Sequence, residues 1–393
     1  MASRTTTARE SLRFTNVHLE NWRNFREVDV DLEFRAFLVG PNASGKSNFL
    51  DVFRFLQDIS SVGGGLQEAI RKRGGLSSIR SLAARANPDV VIRVSLGTPS
   101  CSDVWTYELG LTHDKKRGTL VQKERVTESD KELLVRPRRG DNDERDPERR
   151  TQTYLEQVNA NKEFRPIADF FASVRYMHIV PQLIREPERS VGHLNDPYGG
   201  DFLEQIAISP DRTRQARLGR ILKALQVAVP QFQQLTLERD QAGRPHLLVK
   251  YEHWRPQGAW QTEQRLSDGT LRLMGLLWAS LDRAGPLLLE EPELSLHPEV
   301  VRYIPPMFAR IQRTSNRQIL VSTHSPELLQ DRGIGLDEVL LLIPQREGTA
   351  VRPANSFREI PILLKNGVEL AEAIMPYTRP EHADQLTLFG AGA

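Results

Sequence analysis

The octapeptide Gly40-Pro-Asn-Ala-Ser-Gly-Lys-Ser47 constrains this chain more than any other feature. It fits G-x-x-x-x-G-K-[ST] and has the flanks that the motif's mechanism requires. The apolar run Phe37-Leu-Val39 precedes it, and Phe49, Leu50, Phe53 and Leu56 follow at helical spacing. Strand, glycine-bounded loop and helix in that order let backbone N–H groups close around a phosphate. Lys46 then puts a point charge on β- and γ-phosphates, Ser47 offers a hydroxyl to Mg²⁺, and the helix N-terminus adds its positive end.

A second cluster lies far downstream, in Leu287-Leu-Leu-Glu-Glu-Pro-Glu293, an apolar strand ending in adjacent carboxylates. Neighbouring residues of an extended strand point to opposite sides. Glu290 is therefore expected to support the Mg²⁺ shell, and Glu291 to face the γ-phosphate and orient or deprotonate an attacking water. Taken alone, the pair also reads as a solvent-exposed acidic turn. A third apolar strand, Ile319-Leu-Val-Ser-Thr-His324, ends in a histidine placed to donate a hydrogen bond to the γ-phosphate.

The rest of the sequence bounds the setting. At 393 residues, 39% hydrophobic and 26% charged, the chain can build a large core. A net charge of +2 gives no global basic field, so any nucleic-acid contact must be local. The single cysteine, Cys101, allows neither an internal disulfide nor a multi-cysteine zinc site. No window has the ~18–20 uncharged apolar residues of a membrane helix, and residues 1–10 lack a secretion signal's apolar core. The expectation is a cytoplasmic protein without a membrane span.

Short strands are predicted over residues 12–19, 28–32 and 37–39, and an antiparallel β-rich block over 88–126. Residues 136–150, RPRRGDNDERDPERR, hold six arginines and five acids and read as an exposed, mobile loop. Residues 168–229 read as mostly helical, followed by a hairpin from residues 235–238 to 246–251. Trp254 and Trp260 flank a Pro-Gly turn and read as hairpin packing rather than base-stacking platforms. No fixed-period repeat or sustained heptad pattern appears.

Taken together these residues resemble the ABC-type ATPase heads of the SMC, RecF and OLD group, particularly their small AAA-like relatives. Five motifs stand in that family's order. They are Asn21-Trp-Arg-Asn-Phe25, the phosphate loop, a signature-like Leu266-Ser-Asp-Gly-Thr-Leu-Arg272, the Walker B-like Glu290-Glu-Pro-Glu293, and His324 as switch histidine. The resemblance implies an α/β P-loop NTPase with a RecA-like core, an N-terminal antiparallel β subdomain and a helical insertion. Its implied divisions are 12–126 and 262–350 for the two ATPase lobes, 127–261 for the insertion, and 351–393 for a helix and flexible tail.

Carried over residue by residue, the resemblance implies ATP and Mg²⁺ as cofactors. Nucleotide contacts are Arg23, Gly40, Asn42, Gly45, Lys46, Ser47 and Asn48; metal ligands are Ser47 and Glu290; catalytic residues are Glu291 and His324. Ser267 and Gly269 would contact the ATP of a partner subunit, giving a dimer closed around nucleotide, with residues 294–297 as the D-loop. Gln182 is the candidate for the family's Q-loop glutamine. Two departures stand out. Glu290 replaces the usual aspartate and is one methylene longer, and Ser-Asp-Gly replaces the transporters' Ser-Gly-Gly.

For partners, Arg71, Lys72, Arg73, Arg80 and Arg85 form one basic set, and Arg214, Arg217, Arg220 and Lys223 a stripe along one helix face. Each is compatible with phosphate contact on DNA and with pairing to the protein's own acids. Gln385, Leu386, Leu388 and Phe389 resemble the pentapeptide that binds bacterial sliding clamps, and equally a packed terminal stub. The chain after His324 has no Toprim-like acidic cluster, so nuclease chemistry would come from a separate effector subunit in DNA repair or anti-phage defence. The rival readings are an ATP-gated scaffold that does not hydrolyse and a transporter's nucleotide-binding subunit.

Overall fold

The computed structural model describes residues 11–84, 89–186, 196–254, 259–282, 285–379 and Gln385. β1 (Arg13–Trp22) and β2 (Phe25–Asp31) form a hairpin, and β3 (Arg35–Val39) leads through the glycine loop into α1 (Lys46–Ser60). α2 (Leu66–Arg71) and α3 (Leu76–Ile79) precede a meander of β4 (Val90–Gly97), β5 (Trp105–Asp114), β6 (Gly118–Glu128) and β7 (Lys131–Arg136). Next come α4 (Asn142–Arg145), α5 (Arg165–Ala172), β8 (Arg175–Met177), α6 (Pro181–Arg185), α7 (Phe202–Ile208) and α8 (Asp211–Ala228). β9 (Phe232–Arg239), β10 (Pro245–Tyr251) and β11 (Ala259–Thr262) lead to α9 (Asp268–Leu281) and β12 (Leu287–Glu290). α10 (Pro298–Val301), α11 (Ile304–Ser315), β13 (Ile319–Thr323), β14 (Val339–Gln345), β15 (Gly348–Pro353), α12 (Glu359–Lys365) and α13 (Leu370–Thr378) follow.

The central sheet has the order β15-β14-β3-β13-β12-β8, parallel throughout except for β15. Its inner strands β14, β3, β13 and β12 are mainly apolar because both faces are covered. Side chains alternate between the faces. Leu38, Leu288 and Leu320 join the core shared with α1, whereas Phe37, Val39, Leu289 and Val321 join a second core with α11 to α13. A separate antiparallel sheet, β2-β1-β4-β5-β6-β7, covers the other side of α1. There Phe14 of β1 lies 4.6 Å from Phe53 of α1 and 4.9 Å from Phe170 of α5, ring centre to ring centre. Burying such a side chain contributes about 1.5–3 kcal/mol, and α1 is buried on both sides for this reason. A third core joins α7, α8, the β9–β10 hairpin and α9.

The architecture is the expected α/β one with an antiparallel N-terminal sheet, but several local expectations change. The charged run is not a loose loop. Arg136 and Asp143 are each 2% exposed and pair at 2.6 Å, over Glu124, which is fully buried. The Arg136 guanidinium also lies 3.9 Å from the centre of the Tyr154 ring and donates to the carbonyls of Arg149 and Gln152. Composition shows this run's charges but not the carboxylate of β6 beneath it. β6 itself runs through the division drawn at residue 126.

Trp254 is 81% exposed and stacks on His253; Trp260 lies on the solvent side of the edge strand β11 beside Lys250. α13 continues through Pro376, so the chain stays helical to Thr378. Arg85, Leu386, Leu388 and Phe389 lie outside the described residues. No helix among the described residues is long and apolar enough to cross a membrane.

Removing one member of a buried ionic set leaves the others unpaired, at a typical cost of about 3–5 kcal/mol. Arg136→Ala is therefore expected to lower the denaturation midpoint sharply. Arg138→Ala, which breaks an exposed pair with Glu132, should cost below about 1 kcal/mol. Equal losses from the two in urea titrations would contradict this assignment.

Candidate phosphate-binding site

The parallel strands end at one level. Val39 of β3 is in register with Thr323 of β13, and Ser322 of β13 with Glu290 of β12. The phosphate loop, the acidic turn and His324 therefore emerge side by side, at the carboxyl ends where open α/β sheets bind ligands.

The loop is held in shape from outside. Gly45 has φ 99°, and a Cβ there would lie 2.2 Å from the Asn24 amide. Asn24 donates to the Ser44 carbonyl at 2.9 Å and to Thr349 Oγ1 at 2.8 Å, and accepts from Asn48 Nδ2 at 2.8 Å. Trp22 Nε1 donates to the Asn48 carbonyl at 2.9 Å. Lys46 Nζ donates to the carbonyls of Gly40 and Pro41 at 2.9 and 3.0 Å. Burial lowers its pKa, opposed by the charges of Glu291, Glu290 and Glu293. Arg23 sits in the β1–β2 turn at φ 50° and pairs with Asp51 of α1 at 2.9 Å. It lines a cavity of about 670 Å³ with Asn24, Asn48, Arg80 and Gly348. Asn42 is exposed at the tip of the loop.

The two carboxylates are separated by a turn, not by the strand pleat. β12 ends at Glu290, and Glu291 has φ 46°, with its N–H donating to the Ser322 carbonyl at 2.9 Å. Glu291 Oε1 then lies 2.8 Å from His324 Nε2. Glu290 accepts from Ser47 Oγ on Oε1 and from the Tyr176 hydroxyl on Oε2. Burial, and next the charge of Glu290, push the Tyr176 pKa up, so the phenol stays a donor. Glu293 is buried and accepts from the Thr323 hydroxyl; burial raises its pKa.

The signature-like segment caps α9. Ser267 accepts from the Thr270 N–H at 3.2 Å and is exposed. A Cβ on Gly269 would lie 2.4 Å from the Ser295 carbonyl, so this turn packs against the D-loop-like segment of its own chain. Asp268 pairs with Arg185 at 2.6 Å. Arg272, one turn along α9, borders the same small recess as Glu290 and Glu291, and burial lowers its pKa against the pull of Asp268 and Glu291.

The structure thus brings together Gly40, Gly45, Lys46, Ser47, Glu290, Glu291 and His324, and packs Gly269 against Ser295 and Leu296. Gln182 is exposed on α6, past the end of β8; Tyr176 and His178 are the residues of that segment that reach Glu290. The sequence motifs do not assign Asn24, Tyr176 or Arg272 to the site. Asn24 and Arg272 lie inside motif segments, whereas nothing in the local sequence marks Tyr176. In the basic set, Arg71 pairs with Glu68, Lys72 with Asp58, and Arg73 with Asp51 and Asp58. On α8, Arg214 pairs with Asp211, while Arg220 and Lys223 are exposed.

The family described as "AAA domain, putative AbiEii toxin, Type IV TA system" matches residues 35–330. Endonuclease GajA of Bacillus cereus (strain VD045) is 40% identical over 47 residues, a stretch that is 12% of this chain and spans only 8% of that relative's length. Among solved structures, an Smc head domain with an extended coiled coil, bound to the C-terminal domain of ScpA derived from Pyrococcus furiosus, aligns over 91% of this chain and 100% of its own. Its TM-score is 0.50 at 10% identity, a likeness of fold. The SMC head domain from Thermotoga maritima covers 87% of this chain and 98% of its own at 12% identity, with TM-score 0.45.

Glu293 has a folded-state pKa above its unfolded value, so its ionisation opposes folding as pH rises through and beyond the range between those two values. Glu293→Gln is expected to raise the thermal midpoint at pH 7.5, with the gain shrinking as pH falls toward 4.5, the unfolded value. A gain that persists unchanged at acid pH would rule out this cause.

Proposed function

The chain belongs to the AAA-domain family that matches residues 35–330, and on that premise we propose that it is a Mg²⁺-dependent ATPase that dimerises around ATP. The observation that carries the reading is the Glu291–His324 pair, 2.8 Å apart at the level of the phosphate loop. Gly40, Asn42, Gly45, Lys46 and Asn48 surround the phosphates, and the cavity beside Arg23 takes the base and sugar. Ser47 and Glu290 supply a hydroxyl and a carboxylate, hard oxygen donors that suit Mg²⁺, which is commonly held by one or two carboxylates together with phosphate and water. When bound, Mg²⁺ neutralises charge on the β- and γ-phosphates.

In the reaction, Glu291 accepts a proton from water as the water oxygen bonds to the γ-phosphorus. The bond from that phosphorus to the β–γ bridging oxygen breaks, and ADP leaves with the electron pair. His324 holds Glu291 in place and donates to the γ-phosphate. Ser267 and Gly269, presented at the N-terminus of α9, contact the ATP of a second copy, so bound nucleotide joins the two.

The biological reading is a nucleotide switch in DNA repair or anti-phage defence working with a separate nuclease or other effector subunit. The short match to an endonuclease supports that setting. DNA contact falls to Arg220 and Lys223 of α8, because Arg71, Lys72 and Arg73 are engaged by the protein's own acids. Gln385, Leu386, Leu388 and Phe389 form the proposed clamp-binding peptide.

The test is ATP turnover with and without double-stranded DNA, with mass in solution followed in parallel. Glu291→Gln is expected to lose at least about a hundredfold in rate, to keep ATP affinity, and to accumulate as an ATP-bound dimer. Turnover by Glu291→Gln at the wild-type rate would remove Glu291 from the mechanism. A wild type that binds ATP and never turns it over would leave the scaffold reading in its place.

A further inference from the structure

Glu290 is one methylene longer than the aspartate of the resembled family, so its carboxylate has one more torsion to fix. Both of its oxygens are nevertheless held, Oε1 by Ser47 and Oε2 by Tyr176. Ser47 belongs to the phosphate loop. Tyr176 is the central residue of β8, opposite Leu288 in the parallel pairing with β12. Its ring lies under the Arg54 guanidinium, 4.3 Å from carbon to ring centre, and Arg54 projects from α1, the helix that starts with Lys46 and Ser47. Two residues beyond Tyr176, His178 Nδ1 donates to the main-chain carbonyl of Glu290 at 3.3 Å. One edge strand and its exit thus grip Glu290 by side chain and main chain, and α1 steadies the tyrosine.

We propose that Tyr176 is a positioning residue, whose hydroxyl aims the Glu290 carboxylate at Mg²⁺ and so adapts the site to a glutamate. The proposal rests on the reading of Glu290 as the metal carboxylate. A phenol suits this role because it is neutral at physiological pH, so it orients the carboxylate without cancelling its charge, as a lysine or arginine would. Partners that orient a metal ligand commonly govern affinity by about ten- to a hundredfold. If the tyrosine only fills space, phenylalanine replaces it without consequence, since the ring keeps its place under Arg54.

The test is an equilibrium one that needs no turnover. A fluorescent ATP analogue is titrated with Mg²⁺ on the full chain for wild type, Tyr176→Phe, Glu290→Asp and the double variant. Wild type is expected to bind more tightly as Mg²⁺ rises. Tyr176→Phe should require about ten- to a hundredfold more Mg²⁺, with affinity in EDTA and the thermal midpoint near those of wild type. In the Glu290→Asp background, loss of the hydroxyl should add nothing, because the shorter carboxylate has withdrawn from it. An unchanged Mg²⁺ midpoint in Tyr176→Phe overturns the proposal, as does an equal loss in both backgrounds. If wild-type affinity is itself indifferent to Mg²⁺, the reading of Glu290 as a metal ligand falls, and the role of Tyr176 with it.

Discussion

The register of the central parallel sheet is the constraint on which the site depends. β13 lies between β3 and β12, and backbone hydrogen bonding sets Thr323 level with Val39 and Ser322 level with Glu290. A slip of one residue in β12 would exchange the faces of Leu288 and Leu289, each of which belongs to a different core. Apolar burial on both faces forbids that slip, so leucines and valines some way from any phosphate determine where Glu290 and His324 emerge. Electrostatics is then local. Lys46, drawn toward neutrality by burial, faces three carboxylates that oppose the shift.

Backbone conformation is concentrated on the same place. Of the seven non-glycine residues with positive φ among those described, Arg23, Ala43, Glu291 and Ser295 stand in turns around the site, and Asn21 near the end of β1 leads into one of them. Left-handed conformations at residues other than glycine are uncommon, asparagine being the most tolerant, and such positions concentrate where the surroundings over-determine the chain. At Glu291 the unusual φ achieves what a strand pleat cannot, turning the second carboxylate toward His324 while the first stays with Ser47.

Local pattern made much of this legible. The phosphate loop with its flanks, the apolar strands ending in Glu290 and His324, the β9–β10 hairpin and the antiparallel block are each written in short runs of adjacent residues. What could not be read depends on partners distant in sequence. Residues 71–80 contain no acid, yet Asp51 and Asp58, a helix away on α1, pair with Lys72 and Arg73. The run from Arg136 looks solvated until Glu124 of β6 is placed beneath it. Tyr176 carries no motif, and only the parallel pairing of β8 with β12 puts it beside Glu290.

The same strand order has a consequence for how the molecule is made. Ser47 and Glu290 meet across 243 positions of sequence, and β3 is flanked in the sheet by β13 and β14, both of which leave the ribosome long after it. Closing so long a loop costs entropy before any pairing repays it. During synthesis β3 is therefore an apolar strand with both edges open, the kind of segment that invites intermolecular pairing. The buried aromatic contacts of Phe14 with Phe53 and Phe170 need only earlier parts of the chain. They allow the N-terminal sheet and α1 to condense first and shield one face of β3 until its neighbours arrive.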